Sequence, residues 1–295
     1  MKGRIFAATM GVLGIVLLGT AFSGSGPEQP QKPAPVPEKI RVSREKVEAA
    51  AAAPVDSGVC VLYGVDGEGE SGRSDCVMLL RLRGRTLRLC SLARDTLVEI
   101  PGIGEEKLCH AYAYGGPELA KRTLKDNFGV EPLHYVSVNF AQMPQIIDLL
   151  GGVDLPLSDP EWHAMGYGGI NPGWRHMSGR EALTYCRIRY LDSDDGRTAR
   201  QRTLIEALIR KLEATPRQKL PALALSVLGA LRTDMKPGEV LQLGKQALCG
   251  KTPLRVETLA LPGDAVDAWG GLREDGLWYY VYDLEAASRL LRGFL

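Results

Sequence analysis

The chain has 295 residues, a hydrophobic content of 45% and a formal net charge of +1 at pH 7. This length and apolar content allow one large core or two small ones. A net charge so close to zero gives no support for a nucleic-acid partner, so the basic residues matter through their clustering and not through their sum.

The N-terminus has the features of an export signal. Lys2 and Arg4 precede an apolar run from Ile5 to Phe22, and a tract rich in Pro, Gly, Ser and Gln follows from Ser23 to Pro37. The run is slightly shorter than the roughly 20 residues that span a bilayer, so a cleaved peptide and an uncleaved anchor both fit it. We favour the anchor, because Ala21–Ser23 makes a mediocre cleavage site. The positive flank then places the rest of the chain outside the cytoplasm.

These patterns divide the chain into three parts. Residues 1–22 are predicted to form a signal anchor and transmembrane helix, residues 23–54 a Pro-rich linker and stalk, and residues 55–295 one folded domain. The composition does not change within the third part. Its C-terminal helices and strands are therefore predicted to complete the same domain.

Cysteine usage argues against a zinc site. The six cysteines are widely spaced, no Cys-x-x-Cys pair occurs, and only four histidines accompany them. An exported chain could form disulfides, but a core of this size does not require one. The cysteines are Cys60, Cys76, Cys90, Cys109, Cys186 and Cys249.

The first part of the domain is predicted to be a three-stranded meander. Two apolar strands, Val59–Val65 and Cys76–Arg83, are separated by a Gly-rich loop, and a third strand starts at Thr86. If Gly84–Arg85 forms a two-residue turn, Arg83 pairs with Thr86. The turn then fixes the register of the second and third strands.

The meander gathers acidic and basic residues at one end. In this register Asp75 lies opposite Arg94, and an antiparallel first strand brings Asp66 to the same sheet edge. Asp95 directly follows Arg94. Carboxylates beside an arginine suit a hard divalent cation such as Mg²⁺. The alternative for each aspartate alone is ordinary turn chemistry at a strand end.

Alternating helices and strands follow the meander. The periodicity predicts a helix over Pro117–Phe128, a strand over His134–Phe140, a helix over Gln142–Leu150 and a strand over Val153–Leu157. This alternation predicts an α/β layered domain. Trp162–Trp174 is predicted to be a long loop whose aromatic residues could stack on a sugar or cover the core, and the sequence leaves both open.

Two further helices are predicted after this loop. Ser178 with Glu181 three residues later is a capping-box signature, so a helix is predicted to begin there. A second helix is predicted to begin near Gly196, with an inward stripe of Leu204, Ile205, Leu208, Ile209 and Leu212. The remaining predicted elements are helices over Pro216–Leu231 and Pro237–Leu248, strands over Leu254–Leu261 and Tyr279–Tyr282, and a final helix.

The second of these helices carries polar residues on its inward face near its start. Extending the stripe backwards reaches Gln201 and Arg197, with Arg200 at its margin. A buried guanidinium requires an anionic partner, because an unpaired desolvated charge costs several kcal/mol. Internal ion pairs are one source of that partner, and the candidates are Asp192, Asp194 and Asp195.

A bound phosphate is the other source. Arg187–Arg189 is predicted to be an extended segment whose two arginines share a face. Several arginines near a helix N-terminus make a pocket for phosphate, with bidentate donors and a favourable helix dipole. We favour an anion site for the cluster as a whole, whereas each arginine alone fits an internal ion pair equally well.

Six short motifs occur in order along the domain, namely Arg73–Asp75, Ala93–Thr96, His110–Gly116, Gly151–Asp154, Arg187–Arg189 and Asp194–Gln201. Their order and intervals resemble the LytR-CpsA-Psr family, and the resemblance runs from about Val55 to Leu295. It implies a single three-layer α/β domain with a central mixed sheet flanked by helices, and a hydrophobic pocket for a lipid tail.

The resemblance also implies a function. Members of the family are extracytoplasmic, membrane-anchored phosphotransferases that move an anionic glycopolymer from a polyprenyl-pyrophosphate carrier onto peptidoglycan, forming a phosphodiester. The glycopolymer could be a teichoic acid, a capsular polysaccharide or another glycan. The alternatives are a polyprenyl-pyrophosphate hydrolase and a non-catalytic, lipid-binding regulatory surface protein. A lipid substrate predicts a tunnel flanked by Gln142–Leu150 and the stripe Leu204–Leu212.

Motif position assigns expected roles to single residues. By this resemblance Asp66 and Asp75 hold Mg²⁺, for which Mn²⁺ could substitute. Removing the proton of an acceptor hydroxyl requires a carboxylate that is not fully committed to metal, so Asp75 and Asp95 are the candidates for the base, with Arg94 beside them in catalysis. The residues expected to bind the pyrophosphate are Arg73, Arg94, Arg187, Arg189, Arg197, Arg200 and Gln201, with Asp194 as a supporting acidic residue.

Overall fold

The computed structural model describes residues 58–66, 72–139, 142–169, 172–188, 191, 194–216, 223, 227, 231–248, 254–263, 266–274 and 276–295. The predicted anchor (1–22) and the linker and stalk (23–54) lie outside the described residues. So do Arg189, Asp192, Cys249 and most of the predicted helix over 216–231. Within the described ranges, no helix combines the length and the apolar character needed to cross a bilayer.

Strands and helices alternate along the described chain. The strands are β1 (Cys60–Val65), β2 (Ser74–Arg83), β3 (Thr86–Leu92), β4 (Leu97–Ile100), β5 (Gly104–Lys107), β6 (His134–Asn139), β7 (Val153–Leu157), β8 (Gly173–Met177), β9 (Arg232–Thr233), β10 (Arg255–Leu261), β11 (Ala268–Leu272) and β12 (Trp278–Tyr282). The helices are α1 (Leu108–Phe128), α2 (Met143–Leu149), α3 (Asp159–Ala164), α4 (Gly179–Cys186), α5 (Asp194–Ala214), α6 (Pro237–Leu248) and α7 (Leu284–Phe294).

The central sheet is mixed. Its described strands lie in the order β10-β3-β2-β1-β6-β9. β2 pairs antiparallel with β1 and with β3, and β9 pairs antiparallel with β6. The β1–β6 and β3–β10 pairs are parallel. Three separate hairpins, β4–β5, β7–β8 and β11–β12, lie outside this sheet in the described chain.

A hydrophobic core lies on each face of the sheet. Side chains alternate along β1, so Cys60 and Leu62 enter one core while Val61 and Tyr63 enter the other. Helices α2, α4, α5 and α6 cover the Leu62 face, and α1 and α7 cover the Tyr63 face. This arrangement confirms the predicted three-layer α/β domain with a central mixed sheet flanked by helices.

The meander has the predicted register. Arg83 pairs with Thr86 across the turn, and pairing continues without a shift to Val77 and Leu92. Gly84 in the turn has a φ of 57°, a left-handed conformation that favours glycine. β1 runs antiparallel to β2, so the end of β1 and the start of β2 lie at one sheet edge.

Local sequence signals set the helix boundaries near that edge. α4 begins with the predicted capping box, in which Ser178 and Glu181 each bond the other's main-chain N–H. α1 is interrupted at Gly115–Gly116, where Gly116 has a φ of 64°, and it resumes at Pro117. It ends at Gly129, whose φ of 63° forms a left-handed cap.

Three predicted elements differ from the structure. The helix predicted over Pro117–Phe128 is only the second half of α1, which begins at Leu108. The loop predicted over Trp162–Trp174 contains the end of α3 and the start of β8. The extended conformation predicted at Arg187 is wrong, because its N–H bonds to the carbonyls of Thr184 and Tyr185 and makes it the helical C-cap of α4, with a φ of −101° and a ψ of −1°.

Candidate active site

The predicted acidic residues meet where β1 ends and β2 begins. The carbonyl oxygen of Arg73 accepts the N–H of Asp66 at 3.0 Å and the N–H of Asp75 at 3.1 Å. Both aspartates therefore bond to one main-chain atom, and they lie at the same sheet edge as the meander predicts.

Arg73 is bound to Asp66 along its main chain and its side chain. Its N–H donates to Oδ1 of Asp66 at 2.6 Å, and its Nε and Nη2 donate to Oδ2 at 3.1 Å and 3.0 Å. This side-chain hydrogen bond raises the pKa of Arg73, although partial burial opposes the shift. The Arg73 side chain is 53% exposed, so the pair contributes little to stability and can open readily.

Four charged side chains alternate in sign beside this pair. Nη1 of Arg94 lies 2.7 Å from Oδ1 of Asp75, and its Nε lies 3.2 Å from Oδ2 of Asp95. Nζ of Lys107 lies 3.0 Å from Oδ1 of Asp95. The order is Asp75, Arg94, Asp95, Lys107, and we call this set the ion chain. Arg94 is only 19% exposed, so these contacts are stronger than those of a surface pair.

Main-chain hydrogen bonds from two other elements hold the turn at Arg94 and Asp95. Cys109, in the first turn of α1, donates its N–H to the carbonyl of Arg94 at 3.0 Å. Tyr280 in β12 donates its N–H to the carbonyl of Asp95 at 2.9 Å. The N-terminus of α1 thus lies beside the ion chain, where the helix dipole favours carboxylates and other anions.

The Cys109 thiol, beside the ion chain, is enclosed by the protein. Burial raises its pKa to about 12, and the nearby Asp95 carboxylate adds to the shift while Arg94 opposes it. The thiol therefore stays protonated at neutral pH and is not a candidate nucleophile. Like Cys109, the four other cysteines in the described chain are buried and free of disulfides.

The predicted arginine cluster lies at the start of α5. Arg197, Arg200 and Gln201 are buried there. Nη2 of Arg200 donates to the carbonyl of Ile188 at 2.8 Å, and its Nη1 lies 3.6 Å from Oε1 of Glu161. For Arg200 the structure therefore provides an internal acceptor and an internal carboxylate, in α3, which the sequence did not single out.

The other members of the cluster are placed only in part. Arg187 is exposed at the end of α4. Arg189 is outside the described residues, and Asp194 begins α5 but its side chain is not described. The prediction that Arg187 and Arg189 share a face towards the anion therefore stays a prediction.

Two buried cysteines lie between the arginine cluster and the sheet edge. Burial raises the pKa of the Cys186 thiol well above its usual value, and both Cys76 and Arg200 lie close enough to contribute. Cys76 follows Asp75 in the chain and Cys186 precedes Arg187. α2 and the α5 stripe enter the core that these cysteines line. The lipid tunnel predicted between them stays a prediction.

The acidic residues fit a hard cation in their chemistry. Among the residues that the structure describes, no group of three or more His, Cys, Asp or Glu side chains is arranged to hold a metal ion. Mg²⁺ is commonly bound by one or two carboxylates with waters and substrate phosphates. Asp66 and Asp75 can supply such a pair once Arg73 leaves Asp66, whose two oxygens it now engages.

Most of the aromatic residues between α3 and β8 cover the core. Trp162 is buried, packs on Tyr167 with ring centroids 4.6 Å apart, and donates its Nε1–H to the carbonyl of Gly168 at 3.1 Å. The Arg175 guanidinium lies over both rings, at 4.5 Å and 4.9 Å. Trp174 remains 67% exposed, and the Arg210 guanidinium lies over its ring at 5.5 Å from the centroid.

Lys107 is the main site residue that the sequence did not reveal. It is the last residue of β5, in a hairpin whose turn is marked by Pro101–Gly102 but whose four-residue strands are too short to form a recognisable pattern. The hairpin returns the chain from Asp95 to the start of α1, and this return places Lys107 on Asp95. Its position three residues before the His110–Gly116 motif is a further clue in the sequence.

Known proteins are similar to this chain in sequence and in fold. A model described as the LytR_cpsA_psr family matches residues 34–292. A protein of Bacillus cereus named polyisoprenyl-teichoic acid–peptidoglycan teichoic acid transferase TagU is 30% identical over 308 residues, which cover 98% of this chain and 95% of its own.

Two structures of TagT show the same fold. TagT bound to LIIa-WTA has a TM-score of 0.68 and 23% identity, and TagT with bound octaprenyl pyrophosphate lipid has a TM-score of 0.62 and 23% identity. Each match covers 83% of this chain and 95% of the TagT chain. A further crystal structure, of B. subtilis TagT, has a TM-score of 0.66 and 24% identity. Since the family model spans most of the chain and TagU aligns along nearly all of it, the chain belongs to the LytR-CpsA-Psr family.

Proposed function

We propose that this protein transfers an anionic glycopolymer of the teichoic acid type from a polyprenyl-pyrophosphate carrier to peptidoglycan. The product is a phosphodiester between the polymer and the peptidoglycan glycan. The TagU relative is named for such a transfer, and a TagT structure contains octaprenyl pyrophosphate.

The ion chain is the observation that carries this proposal. A pyrophosphate diester has two negative charges, and its cleavage concentrates charge on the transferred phosphoryl oxygens and on the departing phosphate. Arg94 and Lys107 are fixed cations at one sheet edge, and α1 starts beside them. Donors that are already in place need no reorganisation when the charge develops, which is the main source of catalysis in such sites.

The reaction balances without a further reactant. The oxygen of an acceptor hydroxyl bonds to the phosphorus that carries the polymer, and the bond from that phosphorus to the bridging oxygen breaks. Polyprenyl phosphate leaves with the bridging oxygen and its electron pair. The hydroxyl proton passes to a carboxylate of the ion chain, Asp75 or Asp95.

Asp66 and Asp75 are the residues that would hold a divalent cation, Mg²⁺ or Mn²⁺. When bound, this ion supplies neutralising charge to the pyrophosphate oxygens. The two carboxylates would hold the ion, and Arg73, once free of Asp66, would be available to a phosphate of the substrate. The Arg73 side chain is 53% exposed, so water can solvate it as it leaves Asp66 and the cost of the exchange is reduced.

The site is proposed to work outside the cytoplasm, with residues 1–22 as the membrane anchor. The support is the order of charged flank, apolar run and Pro-rich linker in the sequence. A polyprenyl carrier is embedded in the membrane, so an anchored enzyme meets its donor substrate in two dimensions.

Product analysis tests the proposal. The full chain is incubated with a synthetic polyprenyl-pyrophosphoryl oligosaccharide, peptidoglycan fragments and Mg²⁺, and the products are identified by mass. An oligosaccharide–phosphate–peptidoglycan adduct is expected. Free phosphorylated oligosaccharide alone would show a hydrolase, and tight lipid binding without turnover would show a regulatory protein.

Arg94→Ala ties the activity to the ion chain. Because it removes donors that strengthen in the transition state, transfer should fall at least about a hundredfold. Arg289→Ala is the matched control, since Arg289 pairs with Glu285 on the exposed side of α7 at 2.7 Å and its loss leaves no buried charge. Equal activity of the two variants would refute the assignment.

A further inference from the structure

The β11–β12 hairpin carries an aromatic surface built on two adjacent glycines. A Cβ added to Gly271 would lie 2.2 Å from Cζ2 of Trp269, and a Cβ added to Gly270 would lie 2.6 Å from Cζ2 of Trp278. Each indole ring therefore rests directly on the main chain of a glycine. Any other residue at these positions would push the ring away.

Backbone conformation does not explain these glycines. Neither has a positive φ, so both could be replaced by alanine without backbone strain. Glycine weakens a strand interior, and it commonly marks a place where another group approaches the main chain closely. Here the approaching group is an indole ring. The ring shields the main chain of the strand from water, which stabilises the hairpin. That role does not explain why the other face of the ring is exposed to solvent.

The outer face of Trp269 is open. Its side chain is 54% exposed although one ring face is covered by Gly271. Trp269 pairs with Val281 across the hairpin and Gly271 pairs with Tyr279, so these residues share one face of the hairpin. The result is a flat aromatic ring with its free side turned outward.

This face is continuous with the ion chain. The Tyr279 hydroxyl donates to Oε1 of Glu106 at 3.2 Å, and Nζ of Lys107 lies 5.3 Å from the centre of the Tyr279 ring. The same Nζ is 3.0 Å from Asp95. The next residue of β12, Tyr280, holds the Asp95 carbonyl. Tyr279 is only 2% exposed, so it joins the hairpin to the ion chain as a buried contact on the same hairpin face as the exposed Trp269.

We infer that the Trp269 face is the subsite for the acceptor, a neutral β-linked glycan of N-acetylated amino sugars. The inference rests on the proposed function, since it names where the acceptor of that reaction binds. The C–H groups on one face of a pyranose carry partial positive charge and stack on the negative face of an indole. The Arg273–Glu105 ion pair, 2.9 Å long, supplies donors and acceptors for hydroxyl and acetamido groups at the rim.

Charge favours a glycan over a membrane as the occupant. Leu272 and Leu277 at the hairpin tip are exposed and would also enter a bilayer. The exposed charges of this region, however, include Asp267 and Glu274, while Arg273 is already paired with Glu105. An acidic surface is repelled by anionic lipid, whereas carboxylates accept hydrogen bonds from sugar hydroxyls.

Binding of chitotetraose, a tetramer of β-linked N-acetylglucosamine, to the full chain tests the inference without any transfer reaction. Isothermal titration should give a dissociation constant that Trp269→Ala raises at least about tenfold, which corresponds to about 1.4 kcal/mol. Trp174→Ala is the matched control, because Trp174 is even more exposed than Trp269 but lies in β8 beneath the Arg210 guanidinium, and its variant should bind like the parent. Gly271→Ala should weaken binding in the same direction, since the new Cβ displaces the ring while Trp269 remains.

Transfer kinetics provide a second measurement. Trp269→Ala should raise KM for peptidoglycan fragments and leave kcat unchanged, because stacking contributes equally before and during the reaction. Unchanged chitotetraose binding by Trp269→Ala would overturn the inference even if transfer proceeds. The inference would also be overturned if Trp269→Ala kept chitotetraose binding and lost binding to phosphatidylglycerol vesicles. Loss of chitotetraose binding in a protein that transfers nothing would uphold the glycan subsite and refute the proposed function.

Discussion

Replacing Arg200 tests whether this arginine stabilises the fold or binds the substrate. Its side chain is 3% exposed, its Nη2 donates to the Ile188 carbonyl at 2.8 Å, and its Nη1 lies 3.6 Å from Glu161. Arg200→Ala removes the donor to a buried carbonyl, which costs about 1–3 kcal/mol. It also takes the cation from Glu161, which at 3.6 Å and partial exposure adds less than a tight buried pair.

We therefore expect the free energy of unfolding to fall by about 3 kcal/mol, the lower end for a broken buried ion pair. In a chain of this size each kcal/mol lowers Tm by about 2–4 °C, so Tm should fall by about 6–12 °C. Arg200→Lys keeps the charge but loses the planar fork, and an intermediate loss is expected.

Urea unfolding of the full chain, followed by circular dichroism, measures this loss. A double-mutant cycle with Glu161→Gln should give a coupling of about 0.5–3 kcal/mol. Arg210→Ala is the control on the same helix, where a half-exposed arginine 3.8 Å from Glu206 should contribute less than about 0.5 kcal/mol. The structural role would be refuted if Arg200→Ala lowered the free energy of unfolding by less than about 1 kcal/mol and lowered transfer per folded molecule at least about a hundredfold. That result would indicate that Arg200 binds the pyrophosphate.

Two predictions concern titration near the ion chain. Burial alone would raise the pKa of Glu106, but hydrogen bonds from the Lys107 N–H, His110 and Tyr279 outweigh it and lower the pKa below 4.5. A carboxylate with a depressed pKa stabilises the fold above its unfolded pKa and loses that contribution as pH falls through the folded one, so Glu106→Gln should flatten the decline of Tm below about pH 4.5. Thermal scans that show equal declines in parent and variant would contradict this. Because burial raises the pKa of Cys109 to about 12, only about one thiol in ten thousand is ionised at pH 8. Iodoacetamide should then label Cys109 only after unfolding, and mass analysis showing rapid labelling of the native chain would count against the enclosed site.

The sheet-edge geometry was predictable because it depends on one tight turn. Gly84–Arg85 admits a two-residue hairpin, and this turn determines every pairing from Arg83–Thr86 to Val77–Leu92. Side chains that are far apart in the sequence, such as Asp75 and Arg94, then meet at a computable position. The capping box of α4 was predictable for a similar reason, since both of its bonds form within four residues.

The contacts that complete the site depend on longer-range packing. Lys107 reaches Asp95 only because the β4–β5 hairpin turns back onto the site, and four-residue strands give too short a pattern to recognise. Glu161 reaches Arg200 from α3, a six-residue helix of which only the end lies in the segment predicted as loop. Glu161 belongs to the capping box of Ser158, but that local pattern does not indicate its contact with Arg200, so tertiary packing determines the partners of both residues.

The conformation of Arg187 shows how a local signal was overridden. An Arg-x-Arg pattern with an apolar centre fits an extended strand, in which the two arginines share a face. The α4 helix nevertheless continues until the N–H of Arg187 is bonded, and Ile188 follows it into the core. The Ile188 carbonyl is in turn held by Arg200. A buried apolar residue between the arginines therefore determines the path of the segment.

Exposure decides which arginines can change partners during a reaction. Arg73 is 53% exposed in its pair with Asp66, and exposed pairs contribute about 0–1 kcal/mol, so a cation or phosphate can displace Arg73 at little cost. Arg200 is enclosed, and opening its contacts would strand a carbonyl and a carboxylate in the protein interior. Arg94 lies between these limits and already spans two carboxylates. A pyrophosphate that enters this edge is therefore expected to displace the Arg73 contacts first and to share Arg94 with Asp75 and Asp95, while Arg200 keeps the segment after α4 in place throughout.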